Sequence, residues 1–528
     1  MERETFQERC GIVAIYTPEF TKKFPTVVRA QVALQHRGQN AGGFAMQTEG
    51  GVYTVSGFGL IREILKFDSL QDHDPPTLWT VGHNRYETVE GKSENNTQPI
   101  VVKTHDGETL IVAHNGELVL DETLTKYRDD PHVSDTYMFS HLLANTKGTT
   151  WTERVLHALE QIRGSYSMVI CVGEEMFLAR DPFGFRPLVF GQVADGWMAA
   201  SETHAFDKIF DRVSGKILRM IHRGEVVRIT KKGPTTVREG FVGSWQSCMF
   251  EAPYLAFPYS RVPTYEQIDD DDHPERWMEN SWFRRRMGKI LAEEAPIRHA
   301  SFVVGIPDSG MFVAEAYAET LGLPLRHYIV RDHYTILDRR SFMSDDLTRQ
   351  NGEADGKKRM QQLTRDRLSF ESSSSIWTSK IVVMPDDSNV RGLVAETVDT
   401  LMFHYGAAEV HGVYGYPMII FSCNKGVSMR RGQELVAFRH NSDEKKIAAE
   451  TGLTSIHHIS HAGYVRAMRP GISPEQIHYS PFMFMEANLC GQCVTAVDPV
   501  EYYQHNGKLR GEFTLPAILQ PQRQTALP

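Results

Sequence analysis

The sequence predicts a protein of mixed α/β and α+β class with more than one domain, and three observations lead to this prediction. The chain has 528 residues, a length that corresponds to three or four units of about 150 residues. Two apolar runs, at 302–306 and 381–384, each lead into a loop that contains aspartate, as buried strands of a parallel sheet do. A further apolar run, at 11–16, follows Cys10 close to the start of the chain.

The composition is ordinary for a globular protein. Hydrophobic residues make up 41% and charged residues 23% of the chain, and the formal net charge is −9, so we expect no basic surface for nucleic acid. The sequence contains no secretory signal and no apolar stretch near the ~20 residues that span a membrane. We therefore expect a cytoplasmic protein that binds neither nucleic acid nor membrane.

Cys10 has two interpretations. Residues 1–9 are rich in charge and have no apolar periodicity, and if they are removed as a propeptide, Cys10 becomes the N-terminal residue. Its own α-amine, with a pKa near ~8, is then a suitable general base for the thiol. The alternative is a buried cysteine at the start of a strand, and the motifs downstream favour the nucleophile.

Polar clusters follow Cys10 in the first half of the chain. They read HRGQNAG at 36–42, GHNRY at 82–86, HNGEL at 114–118, SDT at 134–136, GSYS at 164–167, ARDPFGFRPL at 179–188 and ASET at 200–203. In this order they resemble the class II glutamine amidotransferase domain, an N-terminal-nucleophile hydrolase with an αββα sandwich fold. The resemblance covers roughly residues 10–240.

The resemblance implies a role for each of five residues. Cys10 attacks the side-chain amide of glutamine and forms a γ-glutamyl thioester, with release of ammonia. The Asn115 side chain and the Gly116 backbone N–H stabilise the oxyanion. Arg85 binds the α-carboxylate of glutamine through its planar guanidinium, and Asp135 binds the α-ammonium group.

The second half of the chain carries a different motif. The sequence DDSNVRG at 386–392 follows an apolar run and resembles the phosphoribosyl-diphosphate (PRPP) loop of type I phosphoribosyltransferases, which have a Rossmann-like fold. The resemblance implies that the acids hold the ribose hydroxyls and Mg²⁺, while backbone N–H groups and a helix N-terminus hold the 5′-phosphate. The implied residues are Ser309, Asp386 and Asp387 for Mg²⁺, and Asp386, Asp387, Ser388, Val390, Arg391 and Gly392 for PRPP.

Both halves together resemble the glutamine phosphoribosylpyrophosphate amidotransferase (amidophosphoribosyltransferase) family, which opens purine biosynthesis. This implies that ammonia passes to PRPP and forms phosphoribosylamine, that purine nucleotides act as feedback inhibitors, and that the protein is a homo-oligomer. The expected organisation is a propeptide at 1–9, an amidotransferase domain at 10–245, a phosphoribosyltransferase domain at 275–425 and a C-terminal extension at 426–528.

The cysteines indicate a metal centre. Cys490 and Cys493 form a C-x-x-C pair, and disulfides are disfavoured in the cytosol. Cys248 and Cys423 fall where a cluster-bearing branch of the family places its other two ligands, so the resemblance implies a [4Fe–4S] cluster. Zinc remains the alternative metal, and Cys171, inside an apolar run, is interpreted as a core residue.

Three departures from the family pattern keep other functions open. Leu393 and Val394 stand where the family has two threonines that bind the 5′-phosphate, and VRDHY at 330–334 replaces the family's mobile-loop sequence. Glu87 replaces a small hydroxyl residue, and we expect it to face outward. One alternative is a glutamine-dependent amidotransferase with another acceptor in a remodelled pocket. The other is a ligand-sensing or scaffold role for the C-terminal half.

Overall fold

The computed structural model describes residues 10–65, 74–85, 94–240, 247–263, 272, 276–332, 362, 364–427, 429, 432–469, 471, 477, 483–486 and 489–498. The chain divides into two compact units, Met1–Asn280 with Asn424–Ser428, and Ser281–Cys423 with Met429–Pro528. The described residues do not include three parts of the chain discussed above, namely residues 1–9, Glu87 and the loop at 333–361. No helix in the described ranges is both long and apolar enough to cross a lipid bilayer.

The first unit is built mainly from antiparallel strands. Its strands are β1 (Gly11–Thr21), β2 (Ala41–Thr48), β3 (Gly51–Phe58), β4 (Thr77–Arg85), β5 (Ile100–Lys103), β6 (Thr109–Leu118), β7 (Gly164–Val172), β8 (Glu175–Arg180), β9 (Val189–Val193), β10 (Gly196–Ala200), β11 (Gly215–Met220), β12 (Val226–Thr230), β13 (Gly233–Arg238), β14 (Ser247–Cys248), β15 (Arg261–Val262) and β16 (Met278–Glu279). Its helices are α1 (Phe24–Ala33), α2 (Ile61–Leu65), α3 (Glu122–Thr125), α4 (Asp135–Asn145), α5 (Trp151–Glu160) and α6 (Thr203–Asp207).

Strands β1 to β13 form two large sheets. The order is β11-β9-β10-β1-β4-β2-β3 in the seven-stranded sheet and β13-β12-β8-β7-β6-β5 in the six-stranded sheet. β1 lies at the centre of the first sheet and pairs antiparallel with β4 and β10. The start of β1, which follows Cys10, therefore has a paired strand on each side.

The alternation of side chains along β1 and β6 produces four layers. Ile12 and Ala14 share one apolar core with Ile111 of the other sheet, whereas Val13 and Ile15 point to the opposite face and pack with α1 and α6. Residues of α4 and α5 form a separate core with the outer face of the six-stranded sheet. Successive strand residues face opposite sides, so the predicted αββα sandwich is confirmed.

The second unit begins within α7 (Asn280–Glu294), which carries the arginines at 284–286. It continues with β17 (Phe302–Val303), α8 (Gly310–Leu321), β18 (Ile329–Arg331), β19 (Leu368–Phe370), α9 (Ser374–Trp377), β20 (Ile381–Asp386), α10 (Leu393–His404), β21 (Glu409–Tyr414), α11 (Val436–Arg439), α12 (Glu444–Thr451), β22 (Ser455–His458), α13 (His461–Met468), α14 (Met483–Glu486), β23 (Leu489–Cys490) and α15 (Gln492–Thr495).

A parallel sheet of four strands forms the centre of the second unit, in the order β17-β20-β21-β22. Val303 lies opposite Val383, and Asp386 lies opposite Tyr414. The two apolar runs therefore form neighbouring parallel strands, as predicted. Both end at the same edge of the sheet, which is where open α/β folds bind ligands.

Candidate active sites

Cys10 is fully buried and lies immediately before β1. Three side chains fix the backbone around it. Arg37 Nε donates to the Cys10 carbonyl at 2.9 Å, Gln31 Nε2 donates to the Gly11 carbonyl at 2.8 Å, and Ser201 Oγ accepts from Ile12 N at 3.0 Å. The thiol is therefore carried on a rigid piece of backbone.

Arg37 is held in turn by two buried carboxylates. Its Nη1 donates to Glu202 and, at 2.6 Å, to Glu251. Burial alone would raise the pKa of Glu202, but the neighbouring His36 and Arg37 outweigh that effect and hold the pKa well below its usual range. Glu202 is thus ionised. No sequence motif indicated a role for Arg37, Glu202 or Glu251, because only the fold brings these residues together.

Asn115 lies directly beside the candidate nucleophile. Its Oδ1 accepts from Cys10 N at 3.2 Å, and its Nδ2 is buried without a hydrogen-bond partner among the described residues. A buried donor that lacks a partner is destabilising, so such a group usually serves a ligand or reaction. An ideal Cβ at Gly116 would lie 2.0 Å from the Ser165 carbonyl, and only glycine can bring its backbone this close.

Two buried histidines support the strands that carry these residues. His83 Nε2 lies 3.0 Å from the His114 carbonyl, and His114 Nδ1 lies 2.9 Å from Thr136 Oγ1. Burial lowers the pKa of His83 to about 3 and also lowers that of His114. Both rings are therefore neutral at pH 7. No sequence motif indicated a role for either histidine.

Arg85 and Asp135 lie at the ends of elements that border the same region. Gly11 lies opposite Asn84, so Cys10 and Arg85 occupy the same end of two neighbouring strands. Asp135 begins α4, and its two carboxylate oxygens accept from Leu118 N and Thr136 N, each at 2.7 Å. Both side chains are 1% exposed. The structure therefore brings the five predicted glutaminase residues to one end of β1, β4 and β6.

A short segment from later in the chain, Asn424–Ser428, also belongs to the first unit. Gly426 N donates to Glu117 Oε2 at 2.9 Å, and the Lys425 carbonyl accepts from Ser165 Oγ at 3.0 Å. An ideal Cβ at Gly426 would lie 3.1 Å from the Gly116 carbonyl. This segment packs against the predicted oxyanion glycine, and no sequence signal identified it.

The predicted PRPP loop follows β20 and ends at α10. Asp386 is the last residue of β20, and Gly392 precedes α10 with φ of +83°, a conformation that favours glycine. Burial, and then the adjacent Asp387 charge, raise the pKa of Asp386 well above its usual value. Ser388 Oγ donates to Asp387 Oδ1 at 2.7 Å, and Arg391 forms a 3.0 Å ion pair with Glu434.

Ser309 and the start of α8 lie against this loop. An ideal Cβ at Gly310 would be 2.8 Å from Asp386 Oδ1. The first residue of α8 therefore lies close to Asp386. Val394 packs against the apolar core of the second unit. The valine that stands where the family has threonine therefore contributes to packing. The structure thus brings Ser309 to the same strand edge as Asp386 and Asp387.

The six cysteines are all described, and none is in a disulfide. In the second unit Cys423, Cys490 and Cys493 are each less than 10% exposed. Ile420 N and Phe421 N donate to the Cys493 carbonyl at 2.9 and 3.0 Å, which ties the segment that carries Cys423 to the C-x-x-C pair. Cys248 is a buried residue of the first unit, and Cys171 lies in the core, as predicted.

Known proteins of similar sequence belong to the family that the motifs resemble. A profile described as "Glutamine amidotransferase domain" matches residues 83–208. Amidophosphoribosyltransferase 3, chloroplastic, of Arabidopsis thaliana is 32% identical over 450 residues, which cover 83% of this chain and 76% of that protein. Amidophosphoribosyltransferase of Bacillus subtilis is 29% identical over 513 residues, with 95% and 96% covered.

Solved structures are similar over nearly the whole chain. The glutamine PRPP amidotransferase of Bacillus subtilis, solved with ADP and GMP, superposes with a TM-score of 0.74 at 26% identity, and 93% of this chain and 97% of that chain are covered. A structure described as the allosteric regulatory enzyme of purine biosynthesis gives a TM-score of 0.75 at 27% identity, with 93% and 96% covered. The chain belongs to the amidophosphoribosyltransferase family.

Proposed function

We propose that this chain hydrolyses glutamine at Cys10 and transfers the ammonia to PRPP, which yields 5-phosphoribosylamine, the first step of purine biosynthesis. The Asn115 side chain carries the proposal, because its Oδ1 accepts from Cys10 N and the same amide offers a buried donor, Nδ2. An amide donor fixed next to a nucleophile is the arrangement that stabilises a tetrahedral oxyanion.

In the proposed glutaminase reaction the Cys10 thiolate attacks the amide carbon of glutamine. The α-amine of Cys10, released by removal of residues 1–9, accepts the thiol proton and passes it to the departing ammonia. Asn115 Nδ2 and Gly116 N–H donate to the oxyanion. Water then hydrolyses the thioester and releases glutamate.

Arg85 and Asp135 are proposed to bind the glutamine backbone groups. Both are buried: Arg85 ends β4, which pairs with the start of β1, and Asp135 begins α4 and bonds to Leu118 at the end of β6. Little conformational freedom is therefore lost on binding. A guanidinium pairs with the α-carboxylate in two parallel hydrogen bonds, and a carboxylate pairs with the α-ammonium group. Glutamine is thereby oriented with its side-chain amide toward the thiol.

The residues at the edge of the parallel sheet fit Mg²⁺ and PRPP. Oxygen ligands are what Mg²⁺ prefers, and Asp386, Asp387 and Ser309 offer them. The raised pKa of Asp386 reflects burial beside a second carboxylate, and a divalent cation would relieve that repulsion. When bound, Mg²⁺ neutralises the pyrophosphate leaving group, while residues 388–392 and the α10 N-terminus hold the 5′-phosphate.

The proposed acceptor reaction is a displacement at C1 of PRPP. Ammonia attacks C1, the bond to pyrophosphate breaks, and the nitrogen loses a proton. Ammonia has to arrive unprotonated, because ammonium is not nucleophilic, and we propose that it passes internally. Leu393 and Val394 leave open a second candidate, in which the same loop accepts a different electrophile.

We also propose a [4Fe–4S] cluster at Cys248, Cys423, Cys490 and Cys493. Four buried thiols without disulfides fit its ligand set. The contacts between the Cys423 segment and Cys493 support three of the ligands, and Cys248 enters through the sequence resemblance alone. Zinc remains the alternative, and iron, sulfide and zinc analysis of anaerobically purified protein distinguishes the two.

Purine nucleotides are proposed as feedback inhibitors, since the similar Bacillus subtilis enzyme was solved with ADP and GMP. A homo-oligomeric state, a cytoplasmic location and the absence of nucleic-acid and membrane partners stay predictions from the sequence, as do the domain boundaries.

The proposed function is tested by separating the two half-reactions. Cys10→Ala should abolish glutamine-dependent pyrophosphate release and retain ammonia-dependent release, because the acceptor site does not need the thiol. Cys171→Ala, which removes a core thiol far from any proposed chemistry, is the matched control. Equal glutamine-dependent rates in wild type and Cys10→Ala would reject the assignment.

A further inference from the structure

A cluster of three metal-compatible side chains lies in the second unit, outside the residues assigned above. The ligand atoms of His299, Glu409 and His411 all lie within 4.8 Å of one another. His411 Nε2 is 3.0 Å from Glu409 Oε2, and the rings of His299 and His411 are 5.8 Å apart and nearly perpendicular. The cluster combines two imidazoles with one carboxylate.

The cluster is remote from the proposed PRPP site. Glu409 and His411 lie at the amino end of β21, where Glu409 is opposite Ile381, the first residue of β20. Asp386 is opposite Tyr414 at the other end. Along β21, Glu409 is five residue steps from Tyr414, about 17 Å, and His411 is three steps from it, about 10 Å, at ~3.3 Å per step. The cluster therefore cannot share the metal ion of the PRPP loop.

His411 is oriented as a metal-binding histidine. Its Nδ1 lies 2.8 Å from Ser455 Oγ, on the neighbouring strand β22. When Nδ1–H donates to Ser455, the Nε2 lone pair points toward Glu409 and His299, and a bound cation takes the place of the Nε2 proton that would otherwise bond to the Glu409 carboxylate. A second hydrogen bond of this kind, which fixes the tautomer and the ring, accompanies most metal-bound histidines.

The three side chains differ in their exposure to solvent, and the exposed ones would let a metal ion enter. His411 is 5% exposed, the Glu409 side chain is 40% exposed, and His299 is exposed. Ligand atoms around zinc lie about 3.4 Å apart in a tetrahedral site. The His411–Glu409 pair, at 3.0 Å, is close to this spacing, and the His299 ligand atom lies within 4.8 Å of both.

We propose that His299, Glu409 and His411 form a binding site for a late first-row divalent cation, with Zn²⁺ as the best match. Imidazole ligands select zinc, nickel and copper over magnesium and calcium. Two histidines and one glutamate leave a fourth position for water. The ion would link the segment before β17 to β21 across the amino edge of the parallel sheet, and it would stabilise the second unit.

Zinc titration of the full chain by isothermal calorimetry tests the site, with His299→Ala as the decisive variant. His299 is exposed, so its removal should leave the fold intact. Wild type should bind one Zn²⁺ more than His299→Ala, or bind it at least ~10-fold more tightly, since even an outer-shell partner contributes about that much. His327→Ala, another exposed histidine of the same unit, should match wild type.

Two further measurements separate this site from the cysteines and from incidental binding. Ser455→Ala should weaken the same binding event ~10- to 100-fold, because the tautomer of His411 is no longer fixed. Co²⁺ bound at this site should show no thiolate charge-transfer band. The proposal is overturned if wild type and His299→Ala bind Zn²⁺ with equal stoichiometry and affinity, or if the ion lost in His299→Ala has a thiolate spectrum.

Discussion

The Asn115 side chain meets two requirements of the proposed glutaminase. It contacts the nucleophilic residue, and it offers a donor to the oxyanion. Its carbonyl oxygen accepts from Cys10 N, and its amide nitrogen remains available for an oxyanion. The first contact fixes the side-chain rotamer, so the donor is oriented before glutamine binds. Preorganised donors of this kind need no rearrangement during the reaction.

We predict that Asn115→Ala lowers the glutaminase kcat ~100- to 1,000-fold, the usual effect of removing one oxyanion donor. The measurement is glutamate release at saturating glutamine. Asn145→Ala, at an exposed position in the same unit, is the control. Ammonia-dependent synthesis should be unchanged, and a comparable loss in that reaction would indicate a folding defect instead.

The buried histidines give the first unit a specific dependence on pH. His83 has a folded-state pKa of about 3, far below the ~6.5 of an unfolded histidine. Its contribution to stability is complete above pH 6.5 and is lost as the pH falls, because the unfolded chain then binds the extra proton. The free energy of unfolding should therefore decrease below pH 6.5.

His83→Gln should make this decrease shallower, by about 1 kcal/mol per pH unit between pH 6 and pH 5. Urea unfolding at a series of pH values measures the slope. His105→Gln, at an exposed histidine of the same unit, should keep the wild-type slope. A His83→Gln profile parallel to that of wild type would contradict the neutral state of the buried ring.

At the scale of elements, the segment that contains Gly426 supports the strand that carries the oxyanion glycine. Gly426 has φ of +89° and donates to Glu117, and Glu117 is next to Gly116. We propose that this contact positions Gly116.

Gly426→Ala should displace Gly116 and lower glutamine-dependent kcat ~10-fold or more, as misplacement of catalytic groups does. Ammonia-dependent synthesis reports on the other site and should be unaffected. Gly107 has a similar φ of +87° but no atom within 4 Å of its ideal Cβ, so Gly107→Ala controls for backbone strain alone. Equal activity of the two variants would remove the positioning role.

We propose that the residues at the start of α10 determine how tightly PRPP binds. Leu393→Thr with Val394→Thr restores two hydroxyl donors to the 5′-phosphate, each worth ~1.5–3 kcal/mol in favourable cases. We predict at least ~10-fold tighter PRPP binding in the double variant, and weaker binding in Asp387→Asn. Calorimetry with Mg²⁺ measures both. No heat from wild type or the double variant at millimolar PRPP would favour a different acceptor.

Apolar runs in the sequence predicted the strand that follows Cys10 and the strand that ends at Asp386, because buried strands are continuously apolar. The αββα sandwich was predicted from the family that the ordered motifs resemble. The Arg37 network, the Gly426 segment and the His299 cluster were not predictable in this way. Each joins residues more than 100 positions apart, and their contacts exist only after the sheets have formed.

At the scale of the whole molecule, processing should precede glutaminase activity. The proposed base is the α-amine of Cys10, and this group exists only after residues 1–9 are removed. The intact mass of active protein should therefore lack nine residues. Full glutaminase activity in protein that retains them would require another base near the thiol.

We propose that one chain couples the two reactions, and the ratio of the products measures this coupling. Mature wild-type protein, supplied with glutamine, PRPP and Mg²⁺, should form glutamate, pyrophosphate and phosphoribosylamine in a ratio of about 1:1:1, since each ammonia released from the thioester displaces one pyrophosphate. Glutamate formation without consumption of PRPP would rule out this coupling and indicate a different acceptor at the Asp386 loop.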